Sequence, residues 1–121
     1  MRFYIKMTRM NDRNEKRGKM MNDTQETMKK INKFRDERNW RPFHNEKDLA
    51  LSISLEANEL LEIYQWKTSE EGNLDQEHLK EEIADVLIYS YMLADNLGFD
   101  INEIIAEKLD KNAIKYPKPT K

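Results

Sequence analysis

The chain contains no cysteine, only three glycines and three prolines, and just two histidines. Without thiols there are no disulfides and no thiolate metal sites, and a reducing compartment is compatible. His44 and His78 alone make zinc a poor fit. Sparse glycine and proline, beside frequent Leu, Ile, Glu and Lys, favour helices over strands. No apolar run approaches the roughly 18 residues of a membrane span. The start of the chain also lacks the continuous apolar segment of a secretory signal. A soluble, cytoplasmic protein is therefore expected. Neither sign of charge dominates: 21 basic and 23 acidic residues leave a net charge of −2 over 121 residues. Such a mixture supports solubility and singles out no partner. The length suits one domain, and no internal repeat is visible.

Residues 1–20 differ from the rest, with seven lysines and arginines against Asp12 and Glu15. They are expected to form a basic, mobile arm ahead of a domain over 21–121. A basic arm could touch phosphates or nucleic acid, but the tail reading is favoured and nucleic acid is not expected as a partner. Met20 and Met21 leave room for a later translation start.

Four helices follow from capping signals and periodicity. The first is expected over about 24–38, with Asp23 as cap and Glu26 completing a capping box, and with Met28, Ile31 and Phe34 as its apolar face. "NWRPFHN" breaks it around Pro42. A second helix starts after Asn45 and runs to about Trp66. "TSEEGNLD" reads as a loop. A third helix, capped by Asp75, is expected over about 76–97 and ends at Gly98. Asp100 and Glu103 open a fourth, which runs to about Lys115 ahead of Pro117. Short connections favour antiparallel neighbours, so the expected fold is a compact all-α, four-helix bundle-like domain. A core this small, with apolar residues on more than one helix face, points to further burial in a homo-oligomer.

Charged residues interrupt these apolar stripes. Leu49, Ile53, Glu56, Leu60 and Ile63 succeed one another at spacings of four, three, four and three. That stripe is the one a helix turns inward, and Glu56 lies in its middle with Glu59 beside it. Leu79, Glu82, Val86, Tyr89 and Leu93 repeat the pattern, with Asp85 one turn beyond Glu82. Two facing helices would bring four carboxylates together. Buried like charges are costly, and a divalent cation would remove the conflict. Carboxylate oxygens suit Mg²⁺ or Mn²⁺. Acidic pairs at this spacing are also common on solvated faces, as expected for Glu62, Glu70, Glu71 and Glu81. Periodicity leaves both readings open.

On the fourth helix Ile101, Ile105, Lys108, Asn112 and Lys115 keep the same spacing while changing from apolar to polar. The lysines could neutralise phosphate oxygens, or simply complement the helix dipole near its end. Trp40 and Trp66 could stack on a base or pack in a core. His44 and Tyr89 are open in the same way.

"FRDERNWRPFHNEKDLALSISLEANELLEIYQWK", "EEIADVLIYSYMLADNLGFD" and "KLDKNAIKYP" together resemble the MazG-like all-α nucleoside triphosphate pyrophosphohydrolases, in particular their dCTP pyrophosphatase branch. The resemblance covers about 24–117. Its acidic marks are "EANE" and "EIAD", whereas "SISLEANE" departs from the usual small-residue and glycine-rich lead-in. The resemblance implies that Glu56, Glu59, Glu82 and Asp85 bind Mg²⁺, with Mn²⁺ a possible substitute. It implies cleavage of a dNTP, with dCTP or a modified dCTP as first expectation, to a monophosphate and pyrophosphate. Glu59 is the expected proton acceptor. Lys108, Asn112, Lys115 and Tyr116 would meet phosphates or sugar, and Trp40, His44, Trp66 and Tyr89 the base and sugar. The resemblance also implies homodimers or dimer-based tetramers. A non-catalytic nucleotide-binding or oligomerisation module is the alternative.

Overall fold

The computed structural model describes residues 22–120, and all regular structure among them is helical. The expected all-α fold is what forms. The basic arm over 1–20, and the expectations attached to it, lie outside the described residues. Five α-helices succeed one another: α1 (Asp23–Glu37), α2 (Glu46–Glu62), the short α3 (Ser69–Gly72), α4 (Gln76–Asn96) and α5 (Ile101–Lys115). A 3-10 turn over Arg41–Phe43 joins α1 to α2.

Local chemistry sets most of the helix ends. Asn45 caps α2 by accepting from the Asp48 backbone N–H, and Asp100 caps α5 through Glu103. At α1 the capping box lies one residue before the expected one: Asn22 is the cap and Gln25 answers it. Asparagine and glutamine make the same reciprocal bonds as Asp23 and Glu26 would, so the pattern matched twice in adjacent registers. Asp75 stands at the start of α4 but makes no side-chain capping bond. Its carboxylate lies 3.3 Å from His78 Nδ1 instead.

Both α1 and α4 finish in the same motif. Beyond α1, Trp40 N–H donates to Arg35 O (2.9 Å) and Asn39 N–H to Asp36 O (3.1 Å), with Asn39 left-handed at φ 53. Beyond α4, Phe99 N–H donates to Ala94 O (2.8 Å) and Gly98 N–H to Asp95 O (3.0 Å), with Gly98 at φ 73. These are Schellman ends, which satisfy the last carbonyls by turning one residue left-handed.

Two expectations between α2 and α4 change. α2 ends at Glu62, short of Trp66, and the expected "TSEEGNLD" loop contains α3. Thr68 and Glu71 form a capping box that nucleates this single turn. The Tyr64 ring lies against Gly72, and its hydroxyl donates to Asn73 Oδ1 at 2.7 Å.

The core forms where α2 packs on α4, and α1 packs on α4 as well. Leu49, Ile63, Leu79, Met92 and Ala94 are its buried apolar members. Each large one contributes about 1.5–3 kcal/mol by leaving water. On α1, Arg35 is fully buried while Phe34, expected on the apolar face, is 46% exposed. α5 makes no comparable contact with the other helices, and Ile105, Leu109 and Ile114 along it are exposed. No helix among the described residues is long and apolar enough to cross a membrane.

The two glycines near helix ends should respond differently to substitution. A Cβ on Gly72 would stand 2.2 Å from Tyr64 Cδ1, so Gly72→Ala must displace that ring. Thermal unfolding should show a loss of about 1–3 kcal/mol, typical of overpacking. Gly98 has open space around it but a left-handed backbone. Gly98→Ala should therefore cost about 1 kcal/mol, and Gly98→Asn less.

Candidate functional site

α2 and α4 position the acids. Their inward stripes meet as the spacing requires, so Glu56 and Glu82 face one another across the contact, and Glu82 is 8% exposed. Oxygens of Glu56, Glu59 and Glu82 lie within 4.8 Å of one another. Three of the four expected acids are thus gathered. Asp85 lies outside that set but close enough for its charge to act on Glu56.

The electrostatics are those of an under-compensated cluster. Burial pushes the Glu56 carboxyl up to about 7, helped by hydrogen bonding with Glu59 and Glu82 and by the charges of Glu59 and Asp85. Glu56 Oε2 and Glu82 Oε2 are buried without a donor. As carboxylates they can only accept, so a proton or a cation is what completes them. Three acids on two rigid helices, with two buried oxygens unpartnered, fit a divalent metal ion. His78 Nε2 stands 3.4 Å from Glu82 Oε1 and helps to orient it. That contact was overlooked in the sequence, although the i, i+4 spacing of His78 and Glu82 carried its signal.

A cavity of about 440 Å³ adjoins this cluster, lined by Lys30, Ile31, Phe34, Trp40, Asp85, Ile88, Tyr89 and Met92. Asp85 and Tyr89 line the cavity and lie within electrostatic reach of Glu56. Burial first, then the charges of Glu56, Asp85 and Glu59, push the Tyr89 phenol above its ordinary value. The Trp40 ring meets Phe34 edge-on at 5.5 Å and His44 at 5.9 Å. His44 is held below the ordinary histidine value by burial and by the charges of Arg35 and Arg41, so it is neutral near pH 7. Its Nδ1 is buried without a partner.

The structure therefore places Trp40 and Tyr89 on the cavity wall, while His44 does not line it and stands against Trp40. Phe34 lines the wall too and was missed, because an aromatic residue at helical spacing reads equally well as core. Trp66 does not line this cavity. It is 95% exposed, on a left-handed backbone at φ 64. Lys108, Asn112, Lys115 and Tyr116 do not line it either. They cluster at the end of α5, where the Tyr116 N–H donates to Asn112 O and Lys115 Nζ stands 5.3 Å from the Tyr116 ring.

Known proteins are similar to this chain in sequence and in fold. Residues 51–121, the stretch that holds all four acids and α5, match the MazG-like family. dCTP pyrophosphatase 1 of Homo sapiens is 37% identical over 90 residues, covering 69% of this chain and 53% of that protein. The protein of that name from Mus musculus is 36% identical over 90 residues, with the same coverage. The chain thus spans about half the length of the curated relatives it matches. The crystal structure of a pyrophosphatase from Archaeoglobus fulgidus aligns with a TM-score of 0.76 at 40% identity, over 82% of this chain and 96% of that one. With the acidic pairs, the helical order and these likenesses in agreement, the chain belongs to the MazG-like family and resembles its dCTP pyrophosphatases.

Proposed function

We propose that the protein is a Mg²⁺-dependent nucleotide pyrophosphohydrolase that adds water across the α–β anhydride of a dNTP, releasing the monophosphate and pyrophosphate. The observation that carries this is the acidic cluster with its unpartnered buried oxygens, set beside an aromatic cavity whose Asp85 and Tyr89 lie within electrostatic reach of Glu56. Glu56, Glu59, Glu82 and Asp85 would hold the ion. When bound, a divalent ion offsets triphosphate charge and acidifies water. Glu59 is the exposed member of the gathered acids, and so the one best placed to take a proton from attacking water. Trp40, with Phe34 and Tyr89, offers faces on which a base can stack, and neutral His44 braces Trp40. dCTP or a modified dCTP is the first substrate to try, in keeping with the relatives' names.

Lys108, Asn112, Lys115 and Tyr116 are assigned to phosphates and sugar, and Trp66 to base or sugar. Their distance from the cavity wall within one chain is accounted for by assembly. Leu51 and Leu55 on α2, Ile83 and Leu87 on α4, and the apolar residues of α5 are exposed side chains that a second copy would cover. We assign the protein to a homodimer or dimer-based tetramer, acting on the cytoplasmic dNTP pool. Light scattering should give a mass above one 14.6 kDa chain, and a monomer at micromolar concentration would refute the assembly.

Incubation with each dNTP and NTP should give monophosphate plus pyrophosphate, abolished by a chelator. Diphosphate plus phosphate would reject the reaction. Glu59→Gln should keep the fold and lose at least ~10²-fold in kcat; full activity would remove Glu59 from its role.

Without metal, Glu56 should make stability depend on pH. Its folded value of about 7 exceeds the unfolded 4.5. The folded chain then binds the extra proton between these values, so the contribution of Glu56 to stability is fully present below about pH 4.5 and is lost as pH rises through about 7. Melting temperatures of metal-free protein should decline from pH 5 to 8, Mg²⁺ should reverse the decline at pH 8, and Glu56→Gln should flatten it.

A further inference from the structure

We propose that Arg35 is a positioning residue for the nucleotide pocket: its buried guanidinium fixes the turn that carries Trp40 and His44, and so sets where a base can stack. The proposal rests on the nucleotide reading above.

Arg35 is 0% exposed yet does not line the cavity. Its Nη2 donates to Asp95 Oδ2 at 2.9 Å and Asn96 Oδ1 at 3.2 Å, and its Nε to Asn32 Oδ1 at 3.0 Å. The other end of the Asn96 amide donates to His44 O at 2.6 Å. One amide thus bridges the guanidinium of α1 and the backbone at the end of the turn. The start of the turn is held as well, by the bond from Trp40 N–H to Arg35 O. Its middle is held by Arg41, which reaches Asp36 and shares Asp95 Oδ2 at 3.3 Å. Three anchors therefore pin a segment that would otherwise be an exposed connection, and two of them converge on Asp95 and Asn96.

Stability alone does not account for this arrangement. A buried guanidinium is expensive to desolvate, and apolar residues of similar volume often stabilise as well or better. Arg35 Nη1 has no partner, and neither has the buried His44 Nδ1, so the hydrogen bonding is not saturated. What the charge does supply is direction. Asp95 and Asn96 lie on the same face of α4 as Asp85, Ile88, Tyr89 and Met92, the α4 residues that line the cavity. Tying the turn to that face places the Trp40 ring opposite Tyr89 and Asp85. A hydrophobic plug would fill the space without fixing the ring.

The test compares Arg35→Met, Asn96→Leu and the double variant Arg35→Met/Asp95→Leu with the unaltered chain. Steady-state kinetics on the four dNTPs gives KM, kcat and base preference, and thermal melts give stability. A second readout needs no turnover: the emission of Trp40 in a Trp66→Phe background. We expect KM for the preferred dNTP to rise roughly 10- to 100-fold, with kcat changed less than about threefold, and preference among bases to narrow. Trp40 emission should shift to the red and lose anisotropy. The double variant should regain thermal stability, since no charge is stranded, but keep the raised KM. Asn96→Leu preserves the Arg35–Asp95 pair and should still raise KM, which serves if Arg35→Met fails to fold. Unchanged KM, base ranking and Trp40 emission in folded variants would overturn the proposal, as would a double variant that recovers KM together with stability. If the unaltered chain turns over no nucleotide, the proposed function falls instead. The Trp40 emission then still decides whether Arg35 holds the turn.

Discussion

Packing α2 against α4 forces carboxylates toward one another, and the rest of the structure can be understood from that constraint. A leucine at position 56 or 82 would be worth about 1.5–3 kcal/mol of apolar burial. The chain instead places acids there, with two of their oxygens buried and lacking a donor. Such a cluster persists only on elements that cannot relax away from it. Both helices are long, and the side-chain cap at Asn45 and the Schellman end at Gly98 fix two of their ends. The burial of Leu49, Ile63 and Leu79 on the same stripes offsets the electrostatic cost. A proton on Glu56 is one way to relieve what remains, and a cation is the other.

α4 organises everything else. Near one end it contributes Glu82 and Asp85, and near the other Asp95 and Asn96, which receive the guanidinium of Arg35. Between them Ile88, Tyr89 and Met92 face the aromatic cavity. Asp85 and Asp95 are separated by about 15 Å along the helix axis. One helix face thus runs from an acidic cluster awaiting positive charge, across an apolar wall, to an acid already neutralised by arginine.

Much of this was legible in the residues, and the exceptions have physical reasons. Stripe spacing put Glu56 and Glu82 on apolar stripes and left a solvated face open beside the inward one; periodicity reports a face whatever the residue, and the packing of α2 on α4 turns that face inward. The same logic applied to Met28, Ile31 and Arg35, spaced three and four, would have exposed the buried guanidinium. It was overlooked because Phe34, next to it, looked the better core residue. Two of the partners of Arg35, Asp95 and Asn96 on α4, lie about sixty residues away in sequence, where spacing carries no information. Cap chemistry located the starts of α2 and α5 correctly, but it cannot choose between overlapping boxes, as Asn22 and Asp23 show. The turn of α3 was hidden because four residues are too few for a period. The position of α5 is the least legible part, since its apolar residues have no extensive partner within one chain.

The connection from α2 to α4 carries a further consequence. Surface connections usually absorb insertions and deletions. This one is locked: the Tyr64 ring lies on Gly72, its hydroxyl holds Asn73, and Thr68 with Glu71 closes the turn between them. An added residue would either undo that lock or pass its register into α4, turning the helix by about 100° per residue. Glu82 would then leave Glu56 and face solvent. The length of this connection is therefore as much a determinant of the acidic cluster as the acids themselves, and length variation among functional variants should gather elsewhere on the surface.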